Sequence, residues 1–218
     1  MRQVIAIDGP SGSGKTTVAK LVAKELGFSY LDTGALYRAV ALALRNNAIE
    51  PEDSDDKIRD VLSKNHISFN NGRVFLNGID VSEDIRSTEI DHDSSVFSAR
   101  KVVRDFLLYA QRDAALNSDL VVEGRDTTTV VFPDAMKKIY LDASVEERAK
   151  RRYLQYKGKN IDFSMDESIR SIINRDSRDA SREIAPLKKA SDALLVDSSN
   201  LSIELVIKKI LDFIRTDC

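Results

Sequence analysis

The chain has one cysteine, Cys218, the last of its 218 residues. It can therefore form no intrachain disulfide and no Cys-x-x-Cys metal site. Histidine is nearly as scarce. His66 and His92 leave little scope for imidazole chemistry and read as surface or packing residues. No run approaches the roughly 18 apolar residues that span a bilayer. Met1-Arg2 leads straight into a strand-like run with no signal-peptide core, so a cytoplasmic protein with no membrane partner is expected. An excess of one charge is also missing: 33 Lys+Arg face 35 Asp+Glu, a net charge of −2. That balance argues against a bulk nucleic-acid binder, whose affinity comes from neutralising many phosphates. There are no internal repeats and no low-complexity segments. At 42% hydrophobic and 31% charged residues the chain has the make-up of an ordinary globular protein, and its length suits one domain over residues 1–218 that carries an insertion.

Short apolar runs alternate with helical patterns. Val4–Asp8, Phe28–Asp32, Asp119–Gly124, Lys138–Asp142 and Ala193–Asp197 read as doubly buried parallel strands. Helices are expected at Thr16–Leu26, closed by Gly27, at Ala35–Arg45, and around 144–156, 166–176 and 203–214. A further helix carries Val96, Val103, Arg104, Phe106, Leu107 and Ala110. The fold class is thus α/β, a five-stranded parallel sheet covered by helices on both faces. Residues 67–81 break the alternation. Their two Asn-Gly steps, Asn71-Gly72 and Asn77-Gly78, suit hairpin turns, so a small antiparallel meander is expected within an inserted subdomain of about 60–95.

Gly9-Pro10-Ser11-Gly12-Ser13-Gly14-Lys15-Thr16 matches Gly-x-x-x-x-Gly-Lys-Ser/Thr in full, after a strand and at the start of a helix. In such a loop the backbone N–H groups converge on phosphate oxygens. Lys15 reaches the β- and γ-phosphates and the Thr16 hydroxyl meets Mg²⁺. The site binds a nucleoside triphosphate, with Thr17 completing it. No Asn-Lys-x-Asp base-reading motif of the GTPases is present. Many arginines lie away from the loop, which favours small-molecule phosphoryl transfer. A phosphate acceptor is already ionised, so no general base is needed and catalysis rests on positioning and charge.

Several stretches together resemble the bacterial cytidylate kinases: IDGPSGSGKTT (7–17), LDTGALYRAVAL (31–42), VVEGRDTTTVVFPDA (121–135), LDASVEERAKRR (141–152), NRDSRDASREIAPL (174–187) and DALLVDSSNLSIE (192–204). The resemblance implies a P-loop kinase core, an inserted monophosphate-binding subdomain and a short lid at about 148–165. It implies transfer of the γ-phosphoryl group of ATP, with Mg²⁺, to CMP or dCMP by a monomer.

Thr33, Tyr37 and Arg38 match the family's monophosphate segment. Arg38 and Arg125 would clamp the acceptor phosphate, since a guanidinium grips a phosphate edge bidentately. Ser95, Arg104, Asp126 and Arg182 correspond to the cytosine pocket, and Arg175 and Asp179 to the sugar site. Glu123 takes a place in the metal's water shell. By themselves Arg148, Arg151 and Arg152 read as a solvated charged face; the resemblance brings Arg148 and Arg152 over the transferring phosphoryl group, beside Lys15 and Arg125. One departure stands out. Where the family carries an apolar residue and then glycine after Gly-Arg-Asp, this chain has Thr127-Thr128. Other readings are another kinase of this fold (a shikimate or adenylate kinase), a non-catalytic nucleotide-binding module, and an RNA-associated ATPase, which the net charge disfavours.

Overall fold

A computed structural model describes residues 2–70, 72–159 and 161–216. Asn71, in the first Asn-Gly step, and Cys218 lie outside the described residues. Strand β1 (Val4–Asp8) is the centre of a five-stranded, all-parallel sheet. Its neighbours are β6 (Leu120–Gly124) and β7 (Lys137–Asp142); β2 (Ser29–Asp32) flanks β6 and β8 (Leu194–Asp197) flanks β7. Both faces of the inner strands are covered, as their unbroken apolar runs require. The edge strand β8, expected to be doubly buried, buries only Val196 and leaves Leu195 exposed, because no further strand or helix among the described residues covers that edge. Ala6, Leu31 and Val122 point to one face and pack on α2 (Thr33–Asn46). Ile5, Ile7, Val121 and Ile139 point to the other, against α1 (Lys15–Leu26) and α8 (Ile203–Arg215).

Between α2 and β6 the chain leaves the sheet. This excursion holds α3 (Asp55–Ser63), the antiparallel meander β3 (Ile67–Asn70), β4 (Arg73–Leu76) and β5 (Ile79–Asp80), then α4 (Thr88–Phe97) and α5 (Lys101–Asp113). Asn77 and Gly78 both adopt the left-handed backbone, φ 53° and 81°, that the second Asn-Gly step predicts. The single helix expected around Arg104 is two. Arg100 is extended at the break, and its guanidinium reaches back to the Pro51 and Asp53 carbonyls and the Asp55 carboxylate.

Two helices follow β7: α6 (Val145–Lys157) and α7 (Met165–Ser181). A capping box between Ser164 and Glu167 starts α7. It runs past the expected end at 176 to Ser181, which sets Arg175 and Asp179 one turn apart on one face and leaves Arg182 as its C-cap.

Strand order fixes where the site lies. The connections turn in opposite directions from β1, so a crevice opens at the carboxyl ends of β1, β6 and β2. Register places Asp8 beside Gly124 and Asp32 beside Glu123 along that edge.

Candidate active site

The phosphate loop joins β1 to α1 with no room for side chains at its tightest point. A Cβ on Gly9 would lie 2.0 Å from the Leu141 carbonyl oxygen; Gly12 has φ +79° and meets the Arg148 carbonyl. Buried Lys15 donates from Nζ to the Pro10 carbonyl at 2.7 Å and to Ser13 Oγ at 3.4 Å. Burial, and then the Arg125 charge, push its ammonium down to about 7. An anion arriving on the loop reverses that shift.

Two arginines of α6 brace the loop from behind. Arg148 donates to the Ala143 carbonyl at 2.9 Å, to the Ser11 carbonyl at 3.1 Å and to Asp176, whose other oxygen accepts from the Ser11 N–H at 3.3 Å. Arg151 ties the Ser13 carbonyl to Ser198. Arg152, one residue on, faces the open side and donates to Ser11 Oγ, Asp91 and the Tyr156 hydroxyl.

The acceptor side begins where β6 ends. Thr33 Oγ1 donates to the Glu123 carbonyl at 2.8 Å. The Glu123 carboxyl, pushed up by burial and by Asp32, accepts from the Tyr30 hydroxyl at 2.7 Å. Thr127 and Thr128 open a π-helical turn, Thr127–Val131. Both donate backbone N–H and hydroxyl to the buried Asp8 carboxylate. The departure noted in the sequence is thus a four-bond clasp that fixes the turn after Arg125 and Asp126.

Every guanidinium around the cleft meets a carboxylate. Arg104 is ion-paired with Asp126, and its guanidinium lies 5.5 Å from the centre of the Tyr37 ring. Asp179 accepts from Arg125 at 2.9 Å and from Arg182, and these cations outweigh burial to hold its carboxyl below the usual range. Arg38 donates to Asp32, the N-cap of α2, at 3.3 Å. Asp91 joins Arg152 to Arg175 at 2.6 and 2.5 Å.

These groups line one cleft of about 520 Å³, with eight arginines and two lysines against five carboxylates. An excess of cations in a partly desolvated crevice suits two phosphorylated ligands. The structure brings together Ser11, Gly12, Gly14, Lys15, Thr16 and Thr17 on one wall. Thr33, Tyr37, Arg38, Arg104, Glu123, Arg125, Asp126, Arg152, Arg175, Asp179 and Arg182 form the others. Five expected residues are not in its lining: Gly9, Pro10 and Ser13 lie within the loop, and Arg148 and Ser95 stand apart from the cleft. Arg148 lies beneath the loop, held by its three partners. Ser95 is buried in α4 with its hydroxyl unpartnered, while Ser94 and Ser98 line the cleft. Sequence reasoning missed Asp91, Asp32, Asp8 and Arg151. The three acids resemble ordinary helix-terminal or strand-end charges and Arg151 a mid-helix surface arginine, and only the partner across the fold distinguishes each.

The chain is similar to known proteins over nearly its whole length. The family model described as cytidylate kinase matches residues 5–216. A protein named cytidylate kinase from Thermosipho melanesiensis is 50% identical over 214 residues, covering 98% of this chain and 97% of its own. Its namesake from Thermodesulfovibrio yellowstonii is 51% identical over 223 residues, covering the whole of both chains. Among solved structures, a shikimate kinase from Bacteroides thetaiotaomicron superposes with a TM-score of 0.50 at 13% identity over 97% of each chain, a likeness of fold.

Proposed function

The chain belongs to the cytidylate kinase family, and on that premise we propose that it transfers the γ-phosphoryl group of ATP to CMP or dCMP, giving ADP and CDP or dCDP. The observation that carries this reading is a complete phosphate loop facing, across one cleft, a buried Arg104–Asp126 pair and a ring of further arginines. The loop, Gly9 to Thr17, holds the triphosphate, with the Lys15 ammonium moving from the Pro10 carbonyl to the phosphates.

Arg38 and Arg125 grip the acceptor phosphate, and Arg175, which the resemblance puts at the sugar, joins them because it meets Arg38 across Asp91. Asp126 accepts from the cytosine amino group, while Arg104 holds that carboxylate and Arg182 meets the acceptor edge of the base. Tyr37 supports the Arg104 guanidinium, and Asp179 supports Arg125 and Arg182 and reaches the sugar. Uracil presents a carbonyl where cytosine presents an amino group, and a carboxylate rejects it.

No group of three or more His, Cys, Asp or Glu side chains among the described residues forms a protein cage for a metal. Mg²⁺ fits all the same, because it binds kinases mainly through substrate phosphates, one hydroxyl and water. Thr16 would hold it, with Glu123 and Asp32 near its water shell, where it neutralises charge on the β- and γ-phosphates. Arg152 then moves over the transferring group as the 148–165 segment closes, and closure excludes water as a rival acceptor. Residues of about 60–95 act as the monophosphate-binding unit. Ser95 supports the base pocket from within α4, and Arg148 supports the loop. The same reading makes the enzyme a cytoplasmic monomer that uses no nucleic-acid partner; no helix among the described residues is long and apolar enough to cross a membrane. The test is a panel of nucleoside monophosphates offered with MgATP, in which CMP and dCMP should give the highest kcat/KM.

A further inference from the structure

Asp91 sits in the first turn of α4, where an acid ordinarily does no more than favour the helix dipole. Here it is a hub. Its Oδ2 accepts from Arg152 on α6 at 2.6 Å, its Oδ1 accepts from Arg175 on α7 at 2.5 Å, and Arg38 Nη1 on α2 stands 4.0 Å away. Burial pushes its carboxyl up, but these three arginines outweigh burial and hold it well below the usual range, so it is charged at any working pH. Arg38, Arg152 and Arg175 each keep a buried Nε–H with no partner, a donor left over for another anion. A second cavity of about 300 Å³ lies on the other side of Asp91, with Arg170 and Arg178 among its lining residues. A carboxylate displaced from the first cleft has space and a guanidinium waiting there.

Resting on the reading of the cleft given above, we propose that Asp91 is a positioning residue that occupies the acceptor-phosphate place in the empty enzyme and latches Arg152 until a phosphate monoester displaces it. Three guanidiniums converge on one small anion from three elements, which is the arrangement a phosphate dianion requires. Leaving these cations without a counter-anion in a buried crevice is costly, so the carboxylate stabilises the empty state. When the acceptor arrives, its phosphate takes Arg38 and Arg175; Asp91, stripped of two of its three cations, turns towards Arg170 and Arg178 in the second cavity and releases Arg152 to meet the γ-phosphoryl group. The latch therefore suppresses transfer to water. In that side reaction a water oxygen attacks the γ-phosphorus, the bond to the β–γ bridging oxygen breaks, ADP departs, and the water's proton goes to solvent with inorganic phosphate.

The experiment compares wild type, Asp91→Asn and Asp91→Glu at saturating MgATP, reading the CMP dissociation constant, kcat and KM separately, and ADP release without CMP. Asp91→Asn should bind CMP about tenfold more tightly, because an internal competitor has been neutralised. Its acceptor-free ADP release should rise about tenfold as Arg152 is unlatched. Asp91→Glu, which keeps the charge, should stay near wild type in both. A purely structural aspartate would instead lower kcat or weaken CMP binding when neutralised. In the unmutated protein, added inorganic phosphate should itself displace Asp91 and stimulate ADP release without CMP, a readout that does not depend on any variant folding. Unchanged or weaker CMP binding by Asp91→Asn, unchanged acceptor-free turnover, or no phosphate stimulation of the wild type overturns the latch. CMP-dependent turnover by the wild type is measured alongside: its absence refutes the kinase reading, whereas its presence with any of those results refutes only the latch.

Discussion

Thr128 and Asp8, 120 positions apart, are joined twice: the Thr128 hydroxyl and backbone N–H donate to the same carboxylate oxygen at 2.6 and 2.7 Å. Thr127 does the same to the other oxygen, its hydroxyl at 2.7 Å and its backbone N–H at 2.9 Å. The end of the central strand thereby holds the turn that aims Arg125 and Asp126. Thr128→Val keeps the shape and removes one donor from a buried carboxylate, which should cost about 1.5–3 kcal/mol in urea unfolding with an unchanged m-value. KM for CMP should rise while that for ATP stays put, and Thr128→Ser should recover both. A Thr128→Val protein with wild-type stability and CMP kinetics would reduce the clasp to ornament.

The Arg104–Asp126 pair is the part of the cleft that reads the base. Asp126→Asn supplies both an acceptor and a donor and can face either pyrimidine. We expect kcat/KM for CMP to fall by about 2–4 kcal/mol in transition-state terms, with a much smaller loss for UMP. Arg38→Ala should weaken both acceptors alike, because a phosphate clamp carries no information about the base. An equal loss of CMP and UMP in Asp126→Asn would place Asp126 in the phosphate machinery instead.

Lys15 gives a pH dependence whose sign can be worked out. Its ammonium lies at about 7 in the empty protein, against 10.5 for an unperturbed lysine. Bound triphosphate raises it, so binding above pH 7 takes up a proton. From pH 7 upward the ATP dissociation constant should weaken by up to about tenfold per unit, and Lys15→Ala should lose that slope. For the empty protein the unfolded chain holds the proton that folded Lys15 has released, so this group adds stability as pH climbs from 7 towards 10. Calorimetry in buffers of different ionisation heat would detect the uptake; an ATP affinity that is flat between pH 7 and 9 contradicts the assignment.

Arg148 and Arg152 should separate cleanly. Arg148 is buried among three partners beneath the loop, so Arg148→Met should cost about 3–5 kcal/mol by stranding Asp176, and raise KM for ATP. Arg152 reaches into the cleft, so Arg152→Met should lower kcat by about a hundredfold or more, with a smaller loss of stability. Melting curves and kinetics on the two proteins decide it. A matching pattern in both variants would show that the two arginines share one role.

The same pair shows where sequence reading runs out. Arg148 and Arg152 are four apart on one helix, and periodicity puts them on one face; only the loop packed against α6 separates the arginine below it from the one above. The sheet was legible because Val4–Asp8 and its partners are apolar on both faces, a pattern few other elements show. Asn77-Gly78 was legible because its backbone has few alternatives. The break between α4 and α5 was not, because it depends on Arg100 reaching α3 across 45 residues. Asp91 was invisible for a similar reason. An acid in a first helical turn is ordinary until the arginines of two distant helices are seen to close on it.

The most direct test of the account is base selectivity at the acceptor site. Purified protein is given MgATP with CMP, dCMP, UMP, AMP or shikimate in turn, and ADP release is measured beside a Lys15→Ala control. The account predicts the highest kcat/KM for CMP and dCMP, a much lower value for UMP, little turnover with AMP or shikimate, and loss of several orders of magnitude in the control. Equal use of AMP or shikimate, or ADP release that no monophosphate stimulates, would contradict it.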